Sequence, residues 1–270
     1  MRKLITVISV VMISAGCWYA ITVFQEYRDG QKLYEDITDQ FTLPVTGENM
    51  EEAMRQGSKE KEVQESANDG EMQKELPPED APERMEVDWT GLKAVNPDIV
   101  AWIQLPAIDI SYPVVQGDDN SYYLHRSITK EELFSGCLFV DAYNDPNLQN
   151  FNTIIYGHNM RDGSMFAKLK EYDNAETWTA CPYFWIYTEQ GDHLYRIFSS
   201  HKAEVNGSTF TVRFSDIKSY VSWLQKMKDS SSVASELDLA YGDKVVTLST
   251  CTSGGGVRQI LQGVLVYQSW

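Results

Sequence analysis

Apolar residues fall into three regimes along the chain. Leu4 to Phe24 is a run of 21 residues without a charge, and a helix of that length rises about 30 Å, one hydrocarbon core. Residues 25–40 can extend this helix as a polar stalk. From about Thr46 to Glu83 the periodicity is lost: Gly47, Gly57, Gly70, Pro77, Pro78 and Pro82 stand among Glu, Lys, Gln and Ser. Such a segment cannot bury enough apolar surface to offset its ordering entropy, and it reads as a largely disordered tether. From Met85 onward, short apolar runs alternate with turn residues. The candidate strands are Trp102–Leu105, Ile108–Val115, Gly136–Asp141, Thr153–Gly157, Leu194–Val205, Lys244–Cys251 and Gln259–Tyr267, rich in Val, Ile, Tyr and Phe. Helical signals are fewer: a short capped turn over Asp88–Val95, another over Met165–Tyr172, and a helix over Ser215–Lys228. The last carries Ile217, Tyr220, Val221, Leu224 and Met227 at helical spacing, with Ser215 as N-cap. Many short strands and few helices predict a mainly β domain, a closed or nearly closed barrel. The organisation expected is a transmembrane anchor over 1–24, an acidic stalk and linker over 25–85, and a globular domain over 86–270.

Charge sharpens this picture. The chain carries 39 acids against 23 bases, a formal net charge of -16, so a nucleic-acid partner, which needs a basic face, is excluded. A hydrophobic content of 43% excludes a wholly disordered chain. Arg2 and Lys3 precede the apolar run, and Glu26 and Asp29 follow it. The positive-inside rule then puts the N-terminus in the cytoplasm and the globular domain outside the cell. A cleaved signal peptide is the alternative for the run. Ser14-Ala15-Gly16-Cys17 is a poor lipoprotein box, because Ser14 stands where a large aliphatic residue is expected. The four cysteines, Cys17, Cys137, Cys181 and Cys251, are too scattered for a disulfide framework and show no metal-binding spacing. Cys137 and Cys181 lie in or beside apolar segments and are expected reduced. No metal or organic cofactor is called for.

Three residues carry candidate chemistry. Cys251 ends the strand-like run Val245–Cys251 and opens onto Thr252-Ser253-Gly254-Gly255-Gly256; a thiol at a strand end beside a glycine loop is placed to meet a substrate, although a free cysteine is more often a small buried apolar residue. His158 ends Thr153–His158, and imidazole is the side chain best suited to proton transfer near neutral pH. His125, His193 and His201 are rivals that do not sit at a strand end beside a glycine. Arg258 opens the last strand, and its guanidinium can stabilise a thiolate or an oxyanion.

Taken together these residues resemble a known family. Thr247-Leu248-Ser249-Thr250-Cys251 looks like the active-site signature of sortases, the membrane-anchored cysteine transpeptidases of Gram-positive bacteria. Asn96–Ile103, Tyr112–Gly117, Asp119–Leu124 and Asn152–Met160, continuing through Asp162–Phe166, resemble class B sortases. The likeness runs from about Val87 to Tyr267. One departure is the stretch from Thr252 to Val257, which has six residues and three glycines where several class B enzymes carry a longer acidic loop.

The resemblance implies a closed eight-stranded sortase-type barrel with a few short helices, preceded by the membrane helix and linker. It implies Cys251 as nucleophile, His158 as general acid/base and Arg258 as the oxyanion and substrate-positioning group. Ser249 and Thr250 would contact substrate, as would Asn120 and Leu124 in a groove. The implied reaction cleaves an Asn-Pro-x-Thr-type sorting motif through a thioacyl-enzyme and transfers the protein to an amine of a peptidoglycan precursor, anchoring it to the cell wall. Three alternatives stay open: a pilin-polymerising enzyme of the same class that uses a lysine acceptor, a non-catalytic exported barrel that binds peptides, and a secreted cysteine hydrolase. Partners would be surface or pilin proteins bearing the motif, the precursor amine and the membrane. No Asp or Glu stands out in the sequence as a third group orienting His158.

Overall fold

The computed structural model describes residues 2–45, 76–251 and 256–269; the side chains of residues 2–8, 10 and 251 lie outside that description. Helix α1 runs from Arg2 to Phe41, followed by β1 (Thr42–Pro44), β2 (Met85–Val87) and α2 (Trp89–Val95). Next come β3 (Ile99–Leu105), β4 (Ile110–Val115), β5 (Leu138–Val140), β6 (Asn152–Gly157), α3 (Ala175–Ala180), β7 (Tyr183–Thr188) and β8 (Gly191–Glu204). The chain ends with α4 (Ile217–Asp229), β9 (Val245–Cys251) and β10 (Val257–Gln268).

Eight strands close into a barrel in the order β10-β8-β7-β3-β4-β5-β6-β9, with β9 pairing back onto β10. Two neighbouring pairs, β4–β5 and β6–β9, are parallel, and the others are antiparallel. The predicted barrel is therefore present, with corrections to its elements. The sequence pattern does not single out β7. All six of its residues, Tyr183 to Thr188, are buried, so the run has no polar–apolar alternation to mark it as a strand. The Met165–Tyr172 turn is a 3-10 helix over Ala167–Asp173. The cap of α4 is Asp216 in place of Ser215; its carboxylate accepts from Ser219 N, and the Ser219 hydroxyl answers the Asp216 N–H in a capping box. Asp88 caps α2 by accepting from Gly91 N at 2.9 Å.

Strand alternation sorts β6, β9 and β10 onto two faces. Ile155, Val246, Leu248 and Leu261 enter the barrel core with Trp102, Trp185 and Phe184. Val245 and Val264 pack outward against Tyr220, Trp223 and Leu224 of α4. The α4 excursion is tied down on this outer face, because the Asn152 amide donates to the carbonyls of Thr209 and Thr211.

The first half of α1 covers the expected membrane run. Among the described residues no helix is long and apolar enough to cross a membrane, and residues 4–8 and 10 of that run are among those without described side chains. Val11, Met12, Ile13, Trp18, Tyr19 and Phe24 are exposed. The second half differs: Tyr34, Ile37 and Phe41 are buried against the barrel, and β1 pairs with β2, Pro44 opposite Met85. Of the stalk expected over 25–85, the described parts are thus helix up to Phe41 and chain laid on the barrel from about Asp80. There Tyr183 donates to the Asp80 carboxylate, Trp185 Nε1 donates to the Pro82 carbonyl, and Arg84 pairs with Asp192. Residues 46–75 lie outside the described residues.

Candidate functional site

Strand register brings the three candidate catalytic positions to one rim of the barrel. In the antiparallel β9–β10 ladder the Cα partner of Cys251 is Arg258. In the parallel β6–β9 ladder Thr250 pairs with Gly157, so Cys251 comes level with the residue after β6, His158. Cys251, its strand neighbours and Arg258 thus form one row across three strands. The side chain of Cys251 and residues 252–255, including the glycine loop, lie outside the described residues.

His158 follows a glycine that only glycine can supply. A Cβ on Gly157 would overlap the side chains of Leu138 and Phe166, so close packing of the barrel under β6 dictates the residue before the imidazole. The ring is half-buried. Its Nε2 donates to the carbonyl of Leu124 at 2.8 Å, because a carbonyl can only accept. This fixes the proton on Nε2 and leaves Nδ1 as the nitrogen able to give or take one. Among the described residues no carboxylate orients the ring, and the Leu124 carbonyl fills that place. Burial is the main cause holding the His158 pKa below the ordinary imidazole value; nearby His125 and Arg258 push the same way, and the Leu124 bond opposes them.

The Leu124 carbonyl is itself held from below. Asn96, fully buried, donates to the Tyr123 hydroxyl at 2.8 Å and to the Ile128 carbonyl at 2.9 Å, and Tyr123 donates to Asp98 at 2.6 Å. The Asn96-Pro97-Asp98 sequence is therefore the mount of the 3-10 turn Tyr122–His125. Behind that turn, the Gly136 N–H bonds to the Leu133 carbonyl and Cys137 N to the Tyr123 carbonyl.

A cavity of about 290 Å³ opens beside His158, with Asn120, Leu124, Tyr156, Phe210 and Arg258 in its walls. A larger hollow of about 390 Å³ lies between α1 and the barrel, but none of the candidate chemistry lines it. In the cleft the Arg258 guanidinium stands 5.7 Å from the Tyr156 ring centroid, a cation–π arrangement. Tyr156 donates to the buried Asp141 carboxylate at 3.0 Å. Asn120 donates to the same carboxylate at 2.9 Å and accepts from Ala142 N at 2.8 Å. Its amide is thus largely committed to holding the wall.

The remaining predicted positions separate. Ser249 shares the face of Tyr156 and Cys251, is fully buried, and its hydroxyl has no hydrogen-bond partner among the described residues. Thr250 alternates onto the opposite face with Leu248 and Gly157, so its side chain points into the barrel and away from the cleft. The sequence reading missed Tyr156, Asp141 and Phe210, and it named His125, whose ring lies 5.3 Å from that of His158, only as a rival. Of these, Tyr156 had a signal: two residues before His158 in a strand, it shares that residue's face.

Neither described barrel thiol is activated. Cys137 is fully buried and its pKa is pushed up to about 12 by desolvation, and burial also raises that of Cys181. Both are free, as expected.

Comparison with known proteins places this geometry. A family model described as a sortase domain matches residues 103–266. Sortase B of Listeria monocytogenes is 34% identical over 178 residues, covering 65% of this chain and 72% of that protein. Among solved structures, a sortase B from B. anthracis superposes with a TM-score of 0.69 at 27% identity, covering 90% of this chain and 99% of the other. A Staphylococcus aureus sortase B–substrate complex superposes with a TM-score of 0.63 at 28% identity, over 66% and 84%.

Proposed function

The chain belongs to the sortase family, in class B, and is a cysteine transpeptidase; from that premise we propose that it cuts an Asn-Pro-x-Thr-type sorting motif and joins the released protein to an amine of a peptidoglycan precursor. Cys251 is the nucleophile in this reading, His158 the general acid/base and Arg258 the oxyanion group. The observation that carries it is the row that sets the backbone of Cys251 beside Arg258 and level with His158. The burial-raised pKa values of Cys137 and Cys181 support the choice of thiol, since the thiolate is the reactive form.

The thiolate attacks the carbonyl carbon of the Thr-like residue, forming a C–S bond and an oxyanion. The Arg258 guanidinium meets that charge. Nδ1 of His158 donates its proton to the departing amine nitrogen, the C–N bond breaks, and a thioester remains. An acceptor amine then attacks the thioester while neutral Nδ1 takes a proton from it; the C–S bond breaks and the thiolate returns. The Leu124 carbonyl keeps Nε2 occupied throughout. With its pKa below the usual value, His158 is mainly neutral at pH 7, so the imidazolium that starts a cycle is a minor form.

In this reading the motif peptide enters the cleft between Leu124, Tyr156 and Phe210. A solved S. aureus sortase B that resembles this chain is described as a substrate complex, which supports a peptide occupant. Ser249, with its unpaired hydroxyl on the cleft side, is the further contact. The setting we propose is the outer face of the cell membrane, with the first half of α1 in the bilayer. The exposed apolar side chains from Val11 to Phe24 support it, because water is a poor solvent for such a surface.

Peptide cleavage by Cys251→Ala tests the reading: turnover should be abolished, and retained turnover rejects it. Offering the active enzyme a wall-precursor amine and a pilin lysine separately tests the acceptor. Transfer to the lysine alone would reassign the protein to pilus assembly.

A further inference from the structure

Helix α1 does more than carry the domain. Tyr27, Gly30 and Tyr34 lie on one face of the helix at helical spacing, and all three meet the segment Leu133–Cys137. The Tyr27 and Phe134 rings are 5.8 Å apart. At Gly30 a Cβ would come within 3.2 Å of Ser135 Oγ and 3.5 Å of Leu133 Cδ1, so helix and segment are in close contact there. The Tyr34 hydroxyl donates to the Gly136 carbonyl at 2.6 Å.

The far side of that segment faces the histidine. The Phe134 ring lies 6.4 Å from the His158 ring and 6.3 Å from the His125 ring, and the two imidazoles are 5.3 Å apart. Leu133 N and Cys137 N bond to the carbonyls of His125 and Tyr123, which flank Leu124, whose own carbonyl accepts from His158. Two routes, one through rings and one through main chain, therefore run from α1 to the imidazole. The stretch 116–137 that they cross holds no barrel strand. Phe134 remains 49% exposed even with α1 in place. A ring so lightly covered depends on what is laid against it.

We propose that α1, through Tyr27 on Phe134 and Tyr34 on Gly136, is a brace that positions His158, with Tyr27 and Phe134 as positioning residues for the transpeptidation. This rests on His158 being the acid/base. The brace rests on residue contacts alone and is the same whether or not the first half of the helix lies in a bilayer.

The test uses the full-length chain. Tyr27→Ala should lower kcat about tenfold, as a displacement of well under 1 Å at a reacting group can, with KM for a sorting peptide little changed. The limb of the pH profile belonging to His158 should move to higher pH, because loosening the Phe134 wall admits water and weakens the desolvation that holds its pKa down. His125 and Arg258, the other titratable or charged groups that face the ring, are unchanged in this variant. Tyr27→Phe, which keeps the ring, should restore both readouts. If Tyr27→Ala melts early, Phe134→Leu gives the same readouts from the barrel side. Wild-type kcat and pH profile in a folded Tyr27→Ala, or equal losses in Tyr27→Phe, overturn the brace. His158→Ala separates the two ideas. Activity there rejects the functional reading itself, whereas an inactive His158→Ala beside a fully active Tyr27→Ala rejects only the brace.

Discussion

The main-chain oxygen of Leu124 accepts the Nε2–H of His158 at 2.8 Å. The sequence motif suggests Leu124 as an apolar groove residue, and it does line the cleft. Its backbone, however, does the work often given to a carboxylate: it fixes the tautomer and the ring plane. A neutral carbonyl stabilises imidazolium less than a carboxylate does, in keeping with the lowered His158 pKa.

This bond makes Gly136 a sensitive position away from the substrate cleft. Its φ is 56°, and a Cβ there would collide with the Leu124 carbonyl. Gly136→Ala should cost on the order of 10²-fold in kcat/KM by moving the acceptor. It should also lower the His158 pKa further, since the lost bond is the one influence that raises it. Histidine NMR titration beside steady-state kinetics checks both. Leu124→Ala leaves the carbonyl in place and should affect KM more than kcat.

Arg258→Lys keeps a positive charge but loses the planar fork that lies over Tyr156. We expect kcat to fall about 10²-fold or more with little change in melting temperature. Tyr156→Phe should be milder, because the ring stays and only the bond to Asp141 is lost. A kcat for Arg258→Lys within twofold of wild type would remove Arg258 from the oxyanion role.

Ser249 separates stability from binding. Its hydroxyl is buried and unpaired among the described residues, a condition that costs roughly 1–3 kcal/mol. Ser249→Ala should therefore leave the free enzyme as stable or more stable in denaturant titration. If the hydroxyl meets the sorting peptide, KM rises in the same variant. An unchanged KM would confine Ser249 to the barrel wall.

Acid should destabilise the fold through two histidines outside the cleft. His193 and His201 are buried, and desolvation takes each pKa down to about 4. Their folded values lie below the unfolded value of about 6.5, so the unfolded chain binds protons first. Their contribution is complete above pH 6.5 and is lost as pH falls toward 4, up to about 3 kcal/mol apiece. Thermal melts between pH 7 and 4 should show this loss, and it should be smaller in a His193→Gln, His201→Gln double variant.

Much of the barrel was legible because its strands alternate. Thr153–Gly157, Lys244–Cys251 and Gln259–Tyr267 each need one polar and one apolar face, or two different packed faces. The strand Tyr183–Thr188 escaped because it is buried on both faces and has no period to read. Cys251, His158 and Arg258 stand out as candidates by residue type and their places at strand ends, and their roles come from the family resemblance. What brings them level is ladder register, which pairs Gly157 with Thr250, 93 positions apart in sequence, and leaves no local trace. Thr250 illustrates the limit of a motif. Adjacent to Ser249 in sequence, it faces the other way, as every neighbour in a strand must. The Leu124 carbonyl and the contact of Tyr27 with Phe134 could not be read at all, the first because main-chain atoms carry no side-chain signature, the second because it joins segments that share no pattern.

The pairing of Pro44 with Met85 bears on how this chain can vary. This ladder ties the end of α1 directly to the chain that enters the barrel. Adding or deleting residues between 46 and 75 should therefore leave the spacing between α1 and the barrel as it is. Epitopes or labels inserted between 46 and 75 should be accepted without loss of turnover, and reach cannot be tuned by lengthening that stretch.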